Sequence, residues 1–149
     1  MVFAEKIIAA GLNEERAIVG LSNEEILEVE RAQGVRLPAA YRSFLKECGK
    51  SAGLFERDAD FFYPAIKTLK DELNEMLAEE NMDFRIPENA FVFSAYQGYQ
   101  YCYFLCGEEE NPPVYRVDDG EGNFIMISES FTQHIDKAIA HYKGAFFQE

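Results

Sequence analysis

The chain is 149 residues long, with 48% hydrophobic and 14% aromatic residues and no Trp. We expect one globular domain spanning residues 1–149, because this length can bury a sizeable core and no linker-like stretch interrupts it. Lys and Arg number 14 against 27 Asp and Glu, which gives a formal net charge of −13 and argues against direct binding to nucleic acid or to anionic membranes. An acidic surface also aids solubility, so the charge alone does not establish a basic partner.

Cysteine content and the N-terminal segment predict a reduced, cytoplasmic protein. Three cysteines cannot form a closed disulfide framework, and cytosolic thiols stay reduced. The first twenty residues contain only a four-residue apolar run, Ile7–Ala10, with acidic residues on both sides. That pattern is unlike a signal peptide or a membrane span.

The N-terminal third is predicted to be helical. Residues 2–10 form a short helix that ends at Gly11. A second helix covers residues 23–33, because Ser22 and Glu25 form a capping box at its start and Gly34 can adopt the left-handed conformation that ends it.

Pro38 marks the start of the next helix, since its missing N–H leaves no helical hydrogen bond unmade. Gly49 ends this helix and residues 50–63 form a loop. The apolar residues at helical spacing between Pro38 and Gly49 are Tyr41, Phe44, Leu45 and Cys48.

A further helix is expected from Pro64 to about Asn81, with two contrasting faces. Its apolar stripe comprises Ile66, Leu69, Leu73, Met76 and Leu77. Its other face is acidic and carries Asp71, Glu72, Glu75, Glu79 and Glu80.

From Ala90 the hydrophobic period changes to two, which predicts an antiparallel meander of four strands. The first contains Phe91 and Phe93, and a turn at Gln97-Gly98 leads into the second. Later strands are expected at Val114–Val117 and Phe124–Ser128, with polar connections between them. In the second strand both faces are apolar: Tyr99, Tyr101, Tyr103 and Leu105 on one, Cys102, Phe104 and Cys106 on the other.

The final helix begins at a second capping box, formed by Ser130 and Gln133, and is expected to end at Gly144. In the sequence, helices precede and follow the strands of one antiparallel sheet. This order predicts an α+β fold, with the N-terminal helices and the C-terminal helix packed around the meander. The apolar stripe of this last helix is Phe131, Ile135, Ala138, Ile139 and Tyr142.

The region from Ser22 to Gly49 resembles the opening of the SUKH superfamily, the Smi/Knr-type cell-wall-regulator domain found widely among bacterial immunity proteins. Later segments, over about residues 22–143, agree with it. One position departs: members often carry a His before the Gln-Gly turn, where this chain has Ala95-Tyr96. The matching positions are Ile26, Val29, Glu30, Gly34, Val35, Leu37, Pro38, Tyr41, Phe44, Leu45, Gly49, Gln97, Gly98, Tyr99, Pro113, Val114, Tyr115, Ser130 and Phe131.

No residue pattern indicates a catalytic, cofactor or metal site. Residues 118–123 read as a solvated turn, because a calcium loop needs a different glycine position and a later bidentate Glu. His134 and His141 lie two helical turns apart, about 10 Å, too far to chelate one ion, and we expect both at the surface or its edge. Cys102 and Cys106 lie about 13 Å apart along a strand and are expected to pack in the core.

The acidic residues of the meander are the candidate partner-binding site. If the two turns that carry them lie at one end of the sheet, they would focus a negative field on a cationic surface; ordinary hydrophilic turns are the alternative. These residues are Glu108, Glu109, Glu110, Asp118, Asp119 and Glu121.

Together with the resemblance, the charge predicts a non-catalytic immunity-type protein that binds a protein partner, a cationic toxin domain such as a nuclease, and occludes it. A regulatory scaffold of the Knr type is the alternative. A third possibility is an enzyme, for which no catalytic motif is present.

Overall fold

Residues 2–82, 84–119 and 125–146 are described by the computed structural model of the chain. One 3₁₀ turn, at Ala65–Lys67, precedes the helix that begins at Leu69. The helices are α1 (Val2–Ala9), α2 (Asn23–Gln33), α3 (Ala39–Cys48), α4 (Leu69–Glu79) and α5 (Phe131–Phe146), and the strands are β1 (Ile18–Val19), β2 (Ser51–Ala52), β3 (Ala90–Tyr96), β4 (Gln100–Leu105), β5 (Val114–Asp118) and β6 (Ile125–Ser128).

The main sheet is an antiparallel meander with strand order β3-β4-β5-β6, which confirms the predicted meander and the α+β fold. A second, two-stranded sheet pairs Ile18 with Ala52 and Val19 with Ser51. The sequence analysis placed Ser51 and Ala52 in a loop, because a strand of two residues is too short to show a period of two.

The junction of α2 and α3 follows the predicted punctuation. Ser22 Oγ accepts the Glu25 N–H at 3.2 Å, and Glu25 Oε1 accepts the Ser22 N–H at 2.9 Å. Gly34 adopts a φ of 69°, the left-handed conformation that ends α2. Glu30 Oε2 then accepts the Leu37 N–H at 2.7 Å, which fixes the chain between the two helices and gives this acidic motif position a structural role.

Tyr41 is the centre of the aromatic core. It is 1% exposed, and its ring lies 5.1–5.3 Å from three others, one each on β3, β4 and α5: Phe91, Phe104 and Phe131. Its hydroxyl has no hydrogen-bond partner among the described residues. The packing of these three rings therefore holds Tyr41 in place at the cost of one unpaired polar group.

The outer edge of β3 is covered by a side chain of α2. Gln33 Nε2 donates to the carbonyl oxygens of Val92 at 2.7 Å and Ile66 at 2.8 Å, while Gln33 Oε1 accepts the Val92 N–H at 2.9 Å. These bonds satisfy backbone groups that an edge strand would otherwise leave unpaired.

Two predicted helix boundaries are wrong. The helix expected from Pro64 is divided into the 3₁₀ turn and α4, which begins at Leu69 and ends at Glu79. The last helix continues through Gly144 to Phe146, because a glycine in a helix costs only about 1 kcal/mol and need not end it. At the start of α5, Ser130 Oγ accepts the Gln133 N–H as predicted, but Gln133 Oε1 accepts the N–H of Glu129 instead of that of Ser130.

Candidate functional site

The acidic residues predicted to act together lie at opposite ends of β5. Glu108–Glu110 belong to the connection that enters this strand, whereas Asp118 ends it and pairs with Gln100 on β4. The Asp119 N–H donates to the Tyr99 carbonyl at 2.8 Å. Successive turns of a meander alternate between the two ends of the sheet, so the two acidic turns do not meet the condition under which they would form one negative field. Glu121 lies outside the described residues.

The end of the sheet that carries Glu108–Glu110 is mixed in charge. The carbonyl of Glu110 accepts the Ala40 N–H at 2.9 Å, at the start of α3. The same glutamate borders a groove that Arg36, Arg42 and Lys46 also line. The positive side chains offset the field of the three glutamates there.

The opposite end of the sheet gathers acids from three distant parts of the chain. Asp60 pairs with Ala95 through two backbone hydrogen bonds of 2.8 and 3.0 Å. The charges of Asp60 and of Glu72 and Glu75 on α4 act together on Tyr101 of β4 and contribute to its raised pKa, for which burial is the main cause. We call the set at this end the acidic rim: Glu56, Asp58, Asp60, Glu72, Glu75, Asp118 and Asp119.

Two members of the acidic rim, Glu56 and Asp58, line a cavity of about 480 Å³ between the sheet and α5. The sheet contributes a row of residues that lie opposite one another on neighbouring strands, Ser94, Cys102 and Arg116. A register shift in β3 between Val92 and Ser94 interrupts the alternation of sides. As a result Phe93 packs on α5 while the adjacent Ser94 lines the cavity.

The loop that closes the cavity is positioned by the N-terminal part of the chain. Gly53 has a φ of 61°, and a Cβ there would lie 2.0 Å from the Leu12 carbonyl oxygen, so only glycine fits this crossing. Beyond it, Glu56 also adopts a positive φ, 53°, and lines the cavity together with Asp58. The Glu56 carboxylate has no hydrogen-bond or ion-pair partner in the described part of the chain.

Burial shifts the ionisation of two cavity residues in opposite directions. Desolvation, with a smaller effect of the Asp58 charge, raises the pKa of Glu56 to about 7. Desolvation, with a smaller effect of Lys137, lowers the pKa of His134 to about 4. At neutral pH His134 is therefore uncharged, and Glu56 can gain or lose a proton.

The histidines differ from each other in their surroundings. His134 is half-buried, with its ring 5.4 Å from that of Phe93 in an edge-to-face arrangement, so it lies at the edge of the surface. His141 is exposed, and both residues line the cavity. This shared location was not visible in the sequence, because the opposite wall comes from strands and a loop far away in the chain.

Two further side chains of the cavity lack strong partners. Ser94 is 8% exposed, and its hydroxyl makes no hydrogen bond to any residue within the described ranges. Arg116 Nε lies 3.3 Å from Asp118 Oδ1 without the alignment of a hydrogen bond. The Cys102 thiol is buried, and its pKa is raised to about 12 by desolvation, with smaller effects of nearby charges, so it is a poor nucleophile.

Over residues 2–82, 84–119 and 125–146, no group of three His, Cys, Asp or Glu side chains is arranged to hold a metal ion. Among the helices of the same residues, none combines the length and the apolar character that a membrane crossing requires.

Comparison with models of protein families identifies the family of this chain. No curated protein matches the chain. The model of the SMI1/KNR4 family (SUKH-1) matches residues 20–137, close to the segment of about 22–143 over which the sequence shows its resemblance. The matched segment includes all four strands of the main sheet and the loop that carries Glu56. Because the match extends over most of the chain, this protein belongs to the SMI1/KNR4 family (SUKH-1).

Proposed function

We propose that this protein is a non-catalytic immunity-type protein of the cytoplasm, which binds a cationic toxin domain and neutralises it by occlusion. Membership of the SMI1/KNR4 family supports a protein-binding module of the immunity or Knr type. The observation that carries the proposal further is the acidic rim, in which acids from three parts of the chain gather at one end of the sheet, and two of them, Glu56 and Asp58, line the cavity.

The chemistry of the partner follows from the charge of the rim. Toxins that cleave nucleic acids hold phosphates with Lys and Arg side chains, so their active sites are positively charged. A protein with a net charge of −13 and a concentrated acidic edge can steer towards such a site and cover it with carboxylates. Occlusion of this kind needs no chemical step in the inhibitor.

The rim is a better docking surface for a cation than the Glu108–Glu110 connection. Asp60, Glu72, Glu75 and Asp119 are exposed, so they add to one another's field. The connection instead borders the basic groove around Arg42. We therefore assign Asp118 and Asp119 to the binding surface and expect Glu108–Glu110 to contribute little.

The test is affinity capture from the native host with the tagged protein at low salt, followed by mass spectrometry. We expect a basic protein that is released by about 0.5 M salt, where the Debye length is only a few ångströms. When expressed alone that protein should be toxic, and co-expression of this chain should relieve the toxicity. A non-toxic signalling or cell-wall protein as the main partner would contradict the immunity role and favour the Knr-type scaffold.

A further inference from the structure

The cavity beside the acidic rim contains unpaired hydrogen-bonding groups. A partner that only covered the rim would not contact them. We propose that it is a site for the guanidinium group of an arginine side chain, which the cationic partner inserts as an anchor. This inference rests on the proposed function for the source of the arginine, and on the cavity itself for the chemistry. Its volume, about 480 Å³, is ample for one side chain and the backbone next to it.

Hydrogen-bond acceptors surround the cavity on three sides. The loop presents the carboxylates of Glu56 and Asp58, of which Asp58 also lies 3.8 Å from Arg57 Nε. β3 presents Ser94, a residue that is more than nine-tenths buried and whose hydroxyl is unpaired among the described residues. From α5, His134 is neutral at pH 7 and can accept through one ring nitrogen. A guanidinium group carries five donors in a planar fork, so it can use several acceptors that converge in this way.

The remaining walls favour a flat, weakly hydrated cation over a compact ammonium group. Tyr96 and Tyr142 contribute aromatic rings, while Ala138 and Ile127 contribute apolar surface. Guanidinium stacks on aromatic faces and loses less hydration than ammonium when it is buried. The positive charge of Arg116 opposes a cation, but it lies 3.3 Å from the Asp118 carboxylate, which offsets it.

Binding of a cation next to Glu56 would also change the ionisation of that residue. Burial and, to a smaller extent, the Asp58 charge keep part of the Glu56 population protonated near pH 7. A guanidinium partner would favour the carboxylate and lower this pKa. The other titratable or charged groups that line the cavity or act on its walls are Asp58, Tyr96, Cys102, Arg116, Asp118, His134, His141 and Tyr142.

The test uses a small probe, N-acetyl-arginine N-methylamide, titrated into the intact protein and followed by NMR. We expect shift changes at Ser94 and Ala138, and a fall of about one unit or more in the Glu56 pKa measured from its side-chain carboxyl carbon. The citrulline analogue has a similar shape without the charge and should bind about tenfold or more weakly, since hydrogen bonds to charged groups are the strong ones.

Two cavity variants and one matched control complete the experiment. Glu56→Gln should weaken the arginine probe by about tenfold or more, and Ser94→Ala should weaken it to a smaller extent. Glu110→Gln removes one carboxylate at the opposite end of the sheet and should change nothing. Equal binding of the arginine and citrulline probes, or unchanged binding by Glu56→Gln, would overturn the proposed site.

Failure of this inference and failure of the proposed function give different results. If the probe does not bind but the captured partner is cationic and toxic, the guanidinium site is wrong and the immunity role stands. If the probe binds as described but no cationic partner is recovered, the site stands and its arginine comes from another protein.

Discussion

Substitution of Glu56 should change how the stability of the protein depends on pH. In the folded protein the pKa of Glu56 is raised from 4.5 to about 7. Its contribution to stability is therefore fully present below pH 4.5 and is lost as the pH rises through 7, because the unfolded chain releases the proton first. One pKa unit corresponds to about 1.4 kcal/mol. Because Glu56 remains partly exposed, we expect the rise in its pKa to lower the free energy of unfolding by only about 1–3 kcal/mol.

His134 contributes with the opposite sign in an overlapping range. Its pKa is lowered from 6.5 to about 4, so its contribution is present above pH 6.5 and is lost as the pH falls towards 4. Between about pH 4.5 and 6.5 the two effects oppose each other in the wild-type protein. Removal of one residue should expose the effect of the other.

Urea unfolding of the wild type, Glu56→Gln and His134→Gln at intervals from pH 4.5 to 8 measures this directly. Relative to the wild type, Glu56→Gln should gain about 1–3 kcal/mol in free energy of unfolding between pH 4.5 and 8. His134→Gln should gain relative to the wild type as the pH falls below 6.5. Glu109→Gln, at an exposed position, is the control and should run parallel to the wild type. If the free energy of unfolding depended on pH in the same way for all four proteins, the opposite pKa shifts of Glu56 and His134 would be refuted.

Three further predictions concern the scaffold. Leu37→Ala should lower the free energy of unfolding by about 2–5 kcal/mol, because Leu37 is 1% exposed and its loss leaves a cavity; a loss under about 0.5 kcal/mol in the same assay, the scale of surface changes, would contradict its role in the core. Gln33→Leu should cost about 2–4 kcal/mol by leaving backbone groups of β3 and of the 3₁₀ turn unpaired, and an unchanged denaturation midpoint would rule out that bracing role. The three cysteines should react with a thiol reagent at pH 8 only after unfolding, because burial raises the pKa of each to about 11 or 12; rapid labelling of the native protein would contradict this burial.

Local patterns in the sequence predicted the α2–α3 junction well. The side chains that cap a helix lie within three residues of the amides they satisfy, so Ser22 and Glu25 could be recognised without knowledge of the fold. Gly34 could be recognised for the same reason. The role of Glu30 could not, because its partner, the Leu37 N–H, lies beyond the end of the helix.

The candidate site could not be assembled from the sequence, because it depends on long-range geometry. Asp60 reaches the rim through its pairing with Ala95, 35 residues later in the chain. Ser94 faces the cavity because of a register shift that no local pattern indicates. The wrong grouping of Glu110 with Asp118 has the same origin: both lie near β5, but at its two ends.

The acidic rim, and not acidity in general, should bind the cationic partner. Two variants with equal loss of charge test it most directly: Asp60→Asn, Glu72→Gln and Asp119→Asn at the rim, against Glu108→Gln, Glu109→Gln and Glu110→Gln at the opposite end. Stopped-flow association with the captured partner at low salt should be about tenfold slower for the rim variant and little changed for the other, because charge steers encounter locally. Equal rates for the two variants, or a larger loss at the opposite end, would contradict the account.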